Sequence, residues 1–280
     1  MQKFVSIPFI KTMVYGNVFI ALCSLAQVLL TYMVFPIPIN VENNSYVVFI
    51  FLSTYLQYNV QRGMMLQQHH LITDRSQWIS KHKKILLITI GLSLIMLLFL
   101  CNTLSYTSIG IMVGAEAIST LYYMKPFNLR RFGYIKPFLI SLIWVISCVT
   151  VPLIENHILT LNSCWFMLSQ FLFIATLCVL FDIKDTDDDY MTGINTYANK
   201  FGITFTKKMA IFLIIGSSFC YVFFYQTNQY LALTSVIISL ITAGSIFFIT
   251  DKRHSFYYYL WIDGLLILQA IILLLFTKLL

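Results

Sequence analysis

Between two long apolar runs the chain carries DIKDTDDDYMTGINTYANKFG, residues 182–202. Of its 11 acidic residues, Asp182, Asp185, Asp187, Asp188 and Asp189 all fall in the first part of this segment. Carboxylates this close repel one another, and beside a membrane they need water or cations. Asp182, Asp185 and Asp189 are spaced by three and then four residues, which places them on one helical face, with Asp187 and Asp188 pointing elsewhere. A row of oxygen ligands at the mouth of a helix bundle can hold Mg²⁺, which keeps several waters and commonly bridges to phosphate. Lys184, Lys200, Lys207 and Lys208 lie nearby and could pair with phosphate oxygens. The competing reading is a solvated acidic loop. It loses weight because acids are so scarce in the rest of the chain.

The elements that must position these residues are membrane spans. The chain is 59% hydrophobic and 10% charged, with a mean hydropathy of +0.81. Soluble domains average about 25% charged residues. A helix crosses a bilayer with about 20 apolar residues. The pattern predicts nine spans, near 13–36, 46–61, 84–101, 105–123, 135–155, 162–181, 207–226, 230–250 and 256–277. The first apolar run is longer than a signal-peptide core and has no small-residue cleavage pattern, so no secretory signal is expected. One membrane domain over 1–280 is expected, with motif-bearing loops at about 57–84 and 182–207.

The basic residues alternate with these spans. Lys3 and Lys11 precede span 1. Arg62, Arg75, Lys81, Lys83 and Lys84 follow span 2. Lys125, Arg130, Arg131 and Lys136 follow span 4, Lys184, Lys200, Lys207 and Lys208 follow span 6, and Lys252 and Arg253 follow span 8. Of the 18 Lys and Arg, only Lys278 falls on the other side. The positive-inside rule then puts the N-terminus in the cytoplasm and the C-terminus opposite. The formal charge of +7 is a topology signal first. With no basic, aromatic-interleaved soluble face, nucleic-acid binding is excluded. The long loops are all cytoplasmic, so the chemistry is expected at the cytoplasmic mouth. The six cysteines have neither zinc spacing nor a CxxC pair and read as packing residues.

The order Asp182, Asp185, Asp189, Gly193, Thr196, Lys200, Phe201, Gly202 resembles the second aspartate-rich motif of the UbiA superfamily of membrane prenyltransferases. The match is ungapped. Tyr122 and Tyr123 before basic residues, and Lys136 entering span 5 with Trp144, are similar too. The resemblance implies an all-α, integral membrane bundle of nine transmembrane helices with aspartate motifs after spans 2 and 6. It implies prenyl transfer from a polyprenyl diphosphate to a lipid-soluble acceptor, with Mg²⁺ as cofactor and membrane lipids as surroundings. By the same resemblance Asp182, Asp185 and Asp189 hold the metal, while Asp185, Asp189 and Arg62 act on the reacting group. Lys200, Gln57, Asn59, Gln61, Tyr122 and Lys136 contact the bound diphosphate. Charge developing on a leaving diphosphate requires such preplaced counter-charge.

The chain departs from the family at the first motif. Where that motif has Asn and three Asp, this sequence has Gln57, Tyr58, Gln61 and Met65, and the next acid is Asp74. Three outcomes stay open: one metal with Arg62 replacing the second cation, a substrate without diphosphate, or a degenerate relative that binds an isoprenoid lipid or a partner without chemistry. Arg62 supports the first, because a guanidinium can neutralise phosphate directly, but it also reads as an interface anchor. Gln57, Asn59 and Gln61 equally suit interhelical hydrogen bonding. His69 and His70 are adjacent, share no helix face and read as loop residues. Glu116 and Asp263 fall inside predicted spans, where an acid normally faces the bundle interior or water. Tyr257, Tyr258, Tyr259 and Trp261 read as an interfacial belt. A transporter would place more charge deep in the spans and break more helices, so it ranks last.

Overall fold

Every regular element is helical in the computed structural model, which describes residues 8–68, 73–123, 133–224 and 229–278. The chain opens with α1 (Pro8–Tyr15) and α2 (Val18–Val34), bent by 65°. The expected span at 13–36 is therefore broken. Asn17, at the bend, has a φ of 62°, a left-handed conformation that asparagine tolerates better than most residues. Next come α3 (Val41–Gln68), α4 (Asp74–Leu100) and α5 (Tyr106–Tyr123). The Thr73 hydroxyl accepts from Ser76 N, and the Ser76 hydroxyl accepts from Thr73 N. This capping box starts α4 ten residues before the apolar run near 84 that betrays it in the sequence.

α6 (Lys136–Val145) runs through a π-helical turn at Ile146–Thr150 into α7 (Val151–Glu155). α8 (Ser163–Lys184) is followed by the short α9 (Thr186–Met191) and α10 (Tyr197–Phe201). Then come α11 (Ile203–Phe224), α12 (Gln229–Phe247), a second π-helical turn at Tyr257–Ile262, and α13 (Gly264–Lys278). Among the described residues, six helices are long and apolar enough to cross a bilayer, or seven if the bent pair counts as one. α3 and α5 match the expected second and fourth spans in place but fall short in apolarity. The count of nine spans therefore rests on the sequence reading.

The helices pack as a closed ring: α2 on α3, α3 on α4 and α5, α5 on α6, α6 on α8, α8 on α11, α11 on α12, α12 on α13, and α13 back on α2. In lipid no hydrophobic force drives helices together, so close packing and interhelical hydrogen bonds must hold them. α8 is the inner staff of the ring, with Phe173, Ala175, Val179, Leu180 and Ile183 buried. Ser169 on α8 and Ser217 on α11 bond across that contact, at 3.2 Å between hydroxyls. The seam between α2 and α13 is closed by Gln27, whose amide donates to the Leu266 carbonyl at 2.9 Å and to Gln269 at 3.2 Å. Thr31 on α2 donates to the Cys148 carbonyl at 2.9 Å, satisfying a carbonyl at the first π turn. The outer faces carry exposed Leu92, Ile95, Phe99, Phe212, Ile215 and Leu240, as a lipid-facing wall requires.

Candidate active site

The segment 182–202 is shaped by its small and polar residues. Asp182 and Ile183 are buried in the last turn of α8. Asp185 has left the helix, and α9 begins at the next residue. Gly193, with a φ of 71°, closes that short helix. Thr196 is buried and caps α10, accepting from Asn199 N while the Asn199 side chain accepts from Thr196 N at 2.9 Å. Gly202, with a φ of 83°, ends α10 and turns the chain into α11. Gly and Thr in the motif are thus folding residues that fold the aspartates back over the end of α8. Gly133 abuts the Asn195 carbonyl so closely that a Cβ there would collide with it.

The three aspartates converge on one ammonium group. Lys136 Nζ, at the start of α6, donates to Asp182 Oδ1 at 2.8 Å and lies 3.6 Å from Asp189 Oδ2 and 4.0 Å from Asp185 Oδ2. The side chains of Asp182 and Asp189 are 0% and 1% exposed. Asp185 also pairs with Lys184. Burial raises the Asp185 carboxyl, but Lys184, Lys136 and Arg62 outweigh it and hold the group at about 2. Asp185 is therefore ionised at neutral pH. Asp182 Oδ2 is buried and has no hydrogen-bond partner.

These groups sit against a cavity of about 530 Å³. Asp185, Asp188 and Asp189 line it, as do the cations Arg62, Arg75, Lys136, Lys184 and Arg253. Tyr259, in the second π turn, lies between two of them: Arg75 Cζ is 5.0 Å and Lys184 Nζ 4.9 Å from its ring centre. Such contacts hold a cation over an aromatic face while leaving its N–H groups to other acceptors. Arg75 donates to Asn17 Oδ1 at 2.5 Å. Asn17 Nδ2 donates to Asn59 Oδ1 at 3.0 Å, and Asn59 donates to the Gly16 carbonyl at 3.2 Å. The bend between α1 and α2 thereby orients Arg75. Phe19, Ile20, Ile174, Leu177 and Leu266 form apolar lining of the same cavity. Along α8, Ile174 lies ~16 Å from Asp185 at about 1.5 Å per residue, so the cavity reaches from the charged end well toward the apolar interior.

Of the residues expected to act, Asp182, Asp185, Asp189 and Lys136 form one cluster; Asp185, Asp189, Lys136 and Arg62 line the cavity, and Asp182 is buried behind them. Gln57, Gln61 and Tyr122 line a second, smaller cavity beside it. Asn59 faces neither cavity and supports the bend. Lys200 stands over Tyr134, 5.6 Å from the ring centre, and lines neither of these cavities. The Met65 side chain, His69 and His70 lie outside what is described. The sequence reading missed Arg75, Tyr259 and the pairing role of Asn17. The only signal for Arg75 was a basic residue next to Asp74, and Asp74 itself also lines the cavity. Asp263 lines the larger cavity and Glu116 the smaller one.

The UbiA prenyltransferase family model matches residues 76–261 of the 280 in the chain. The chain belongs to the UbiA prenyltransferase family and is an integral, multi-pass membrane protein. A solved structure of a digeranylgeranylglyceryl phosphate synthase is similar, with a TM-score of 0.56 and 15% identity over 95% of this chain and 96% of that one. At that identity the likeness concerns the fold. No curated protein sequence matches the chain.

Proposed function

We propose that the larger cavity binds a polyprenyl diphosphate and that the protein transfers its prenyl group to a lipid-soluble acceptor at the cytoplasmic face. The observation that carries this reading is the convergence of Asp182, Asp185 and Asp189 on one point at the charged end of a cavity whose other part is apolar. The donor set suits Mg²⁺: it is all oxygen, and Asp182 Oδ2 is buried without a partner. Among the described residues no ready-made group of three His, Cys, Asp or Glu ligands is present, and Lys136 stands at the centre of the triad. Asp182, Asp185 and Asp189 would hold the ion once Lys136 shares or yields that place. A bound Mg²⁺ would neutralise the diphosphate and stabilise it as a leaving group.

The chain's own groups supply the rest. Arg62, Arg75 and Arg253 present guanidinium groups to the cavity where the first aspartate motif is missing, and a guanidinium can take two phosphate oxygens at once. This favours a single metal, with arginine in place of a second. Phe19, Ile174 and Leu177 would hold the prenyl chain, and Tyr58 and Trp144, which line both cavities, would face the electron-poor allylic carbon with their π-systems. The test is to incubate the protein in detergent with radiolabelled prenyl diphosphates and Mg²⁺ and to follow diphosphate release. Release that falls at least 100-fold in Asp185→Asn is expected. Absent release, or release equal in the variant, would sink the proposal.

A second reading is a relative that binds isoprenoid lipid without chemistry. It is favoured by the same Lys136, which already neutralises the triad, and by the carboxylate-free first motif. On that reading prenyl diphosphate stabilises the fold against heat without Mg²⁺, and no diphosphate is released.

A further inference from the structure

The smaller cavity, of about 120 Å³, has no assigned role and differs in character from the larger one. The two share Tyr58, Ile140 and Trp144 as a common wall. No lysine or arginine lines the smaller chamber, and its one charged lining residue is Glu116 on α5. Its polar wall comes from α2, α3, α5 and the first π turn. The Gln57 and Gln61 amides, one turn apart on α3, both donate to Ser119 Oγ, at 2.7 and 2.8 Å. Ser119 lies three residues after Glu116, on the same face of α5. Two donors occupy the lone pairs of the serine oxygen and leave its hydrogen free to donate. Among the described residues, the amide oxygens of Gln57 and Gln61 and the Glu116 carboxylate have no hydrogen-bond partner. The chamber is thus rich in hydrogen-bond acceptors and lined by no lysine or arginine.

We propose that this chamber seats the reacting group of the acceptor, and that this group is an uncharged hydroxyl or amine, not a carboxylate or phosphate. The inference rests on the larger cavity being the prenyl diphosphate site. A carboxylate or phosphate here would meet Glu116 with no counter-ion, which low local polarity makes costly. A hydroxyl or amine supplies the donor that Glu116, Gln57 and Gln61 lack. In size the chamber is slightly smaller than a 150 Å³ cavity that holds benzene, so it fits a single ring or a glycerol-sized head, with any tail leaving past Trp144. In the transfer step the allylic C–O bond breaks and its electron pair leaves with the diphosphate. A lone pair of the acceptor oxygen or nitrogen forms the new bond to that carbon. The proton it loses passes to the Glu116 carboxylate, which makes Glu116 the general base.

The test uses the full chain in lipid nanodiscs with Mg²⁺ and geranyl S-thiolodiphosphate, a donor analogue that reacts too slowly to turn over. Donor binding is read separately, as thermal stabilisation by the analogue. Its absence would count against the prenyl diphosphate reading itself. Acceptor preference is read by fluorine NMR titration of 4-fluorophenol against 4-fluorobenzoate, corrected by empty nanodiscs. At least ten-fold tighter binding of the phenol is expected, narrowing to less than three-fold in Glu116→Gln. In Ser119→Leu, which fills the chamber, both probes should be lost while donor stabilisation persists. The inference is overturned if the benzoate binds as tightly as the phenol, if neither probe saturates, or if either variant leaves the preference unchanged.

Discussion

Lys136 is the residue on which the site's electrostatics turn. Its ammonium is the counter-ion of two almost fully buried carboxylates. Removing one partner of a buried pair typically costs 3–5 kcal/mol, because the other charge is left stranded. Lys136→Met is expected to lose about 3 kcal/mol of stability in EDTA and to regain much of it in millimolar Mg²⁺, whereas the parent protein gains far less from the ion. Unfolding curves in detergent with and without Mg²⁺ check this, and equal responses would refute it. Arg75→Gln should weaken donor-analogue binding about ten-fold, the loss of one charge-assisted contact of about 1.5 kcal/mol, while leaving the fold intact. At this scale the aspartate triad was legible because its spacing is local. Arg75, Asn17 and Tyr259 were not, because tertiary packing assembles them from three distant parts of the chain.

Among the elements, the folding roles of the motif glycines give a direct comparison. Gly202 has a positive φ and open space around it, so Gly202→Ala should cost about 1–2 kcal/mol through backbone strain alone. Gly63 also has open space but sits within α3, where Gly63→Ala should stabilise by about 0.5–1 kcal/mol. Opposite signs in the unfolding midpoints are expected, and matching signs would show that the turn at 202 is not what the glycine serves. Helix positions were readable in the sequence to within a few residues wherever the helix lies in lipid. Hydropathy reports the bilayer rather than the helix, so the polar first turns of α4 at Asp74–Lys84 read as loop. The apolar run through 13–36 likewise concealed a bend whose only sequence trace was Asn17.

For the whole molecule, the one-sided distribution of basic residues predicts which loops meet the cytoplasm. With Cys164 changed to Ser, a cysteine placed at Thr160 should react with an impermeant maleimide on intact cells. One placed at Asp251 should react only after lysis, and the reverse pattern would invert the topology. The closed order of helices was not legible, since which helices meet depends on packing between segments far apart in sequence. Closure has a consequence for how the length of this chain can vary. The turn at Tyr257–Ile262 is π-helical, and Asp263 N reaches back five residues to the Tyr258 carbonyl at 3.1 Å. Excising one residue there would let an ordinary α-turn cover nearly the same rotation with one residue fewer and would leave α13 on its present face, whereas a deletion inside α13 would turn everything after it by about 100°. Leu265, Leu266 and Leu273, now buried, would stay buried in the first case, and Leu273 would leave its place in the second. Single-residue deletions should therefore be tolerated within 257–262 yet strongly destabilising between 266 and 272.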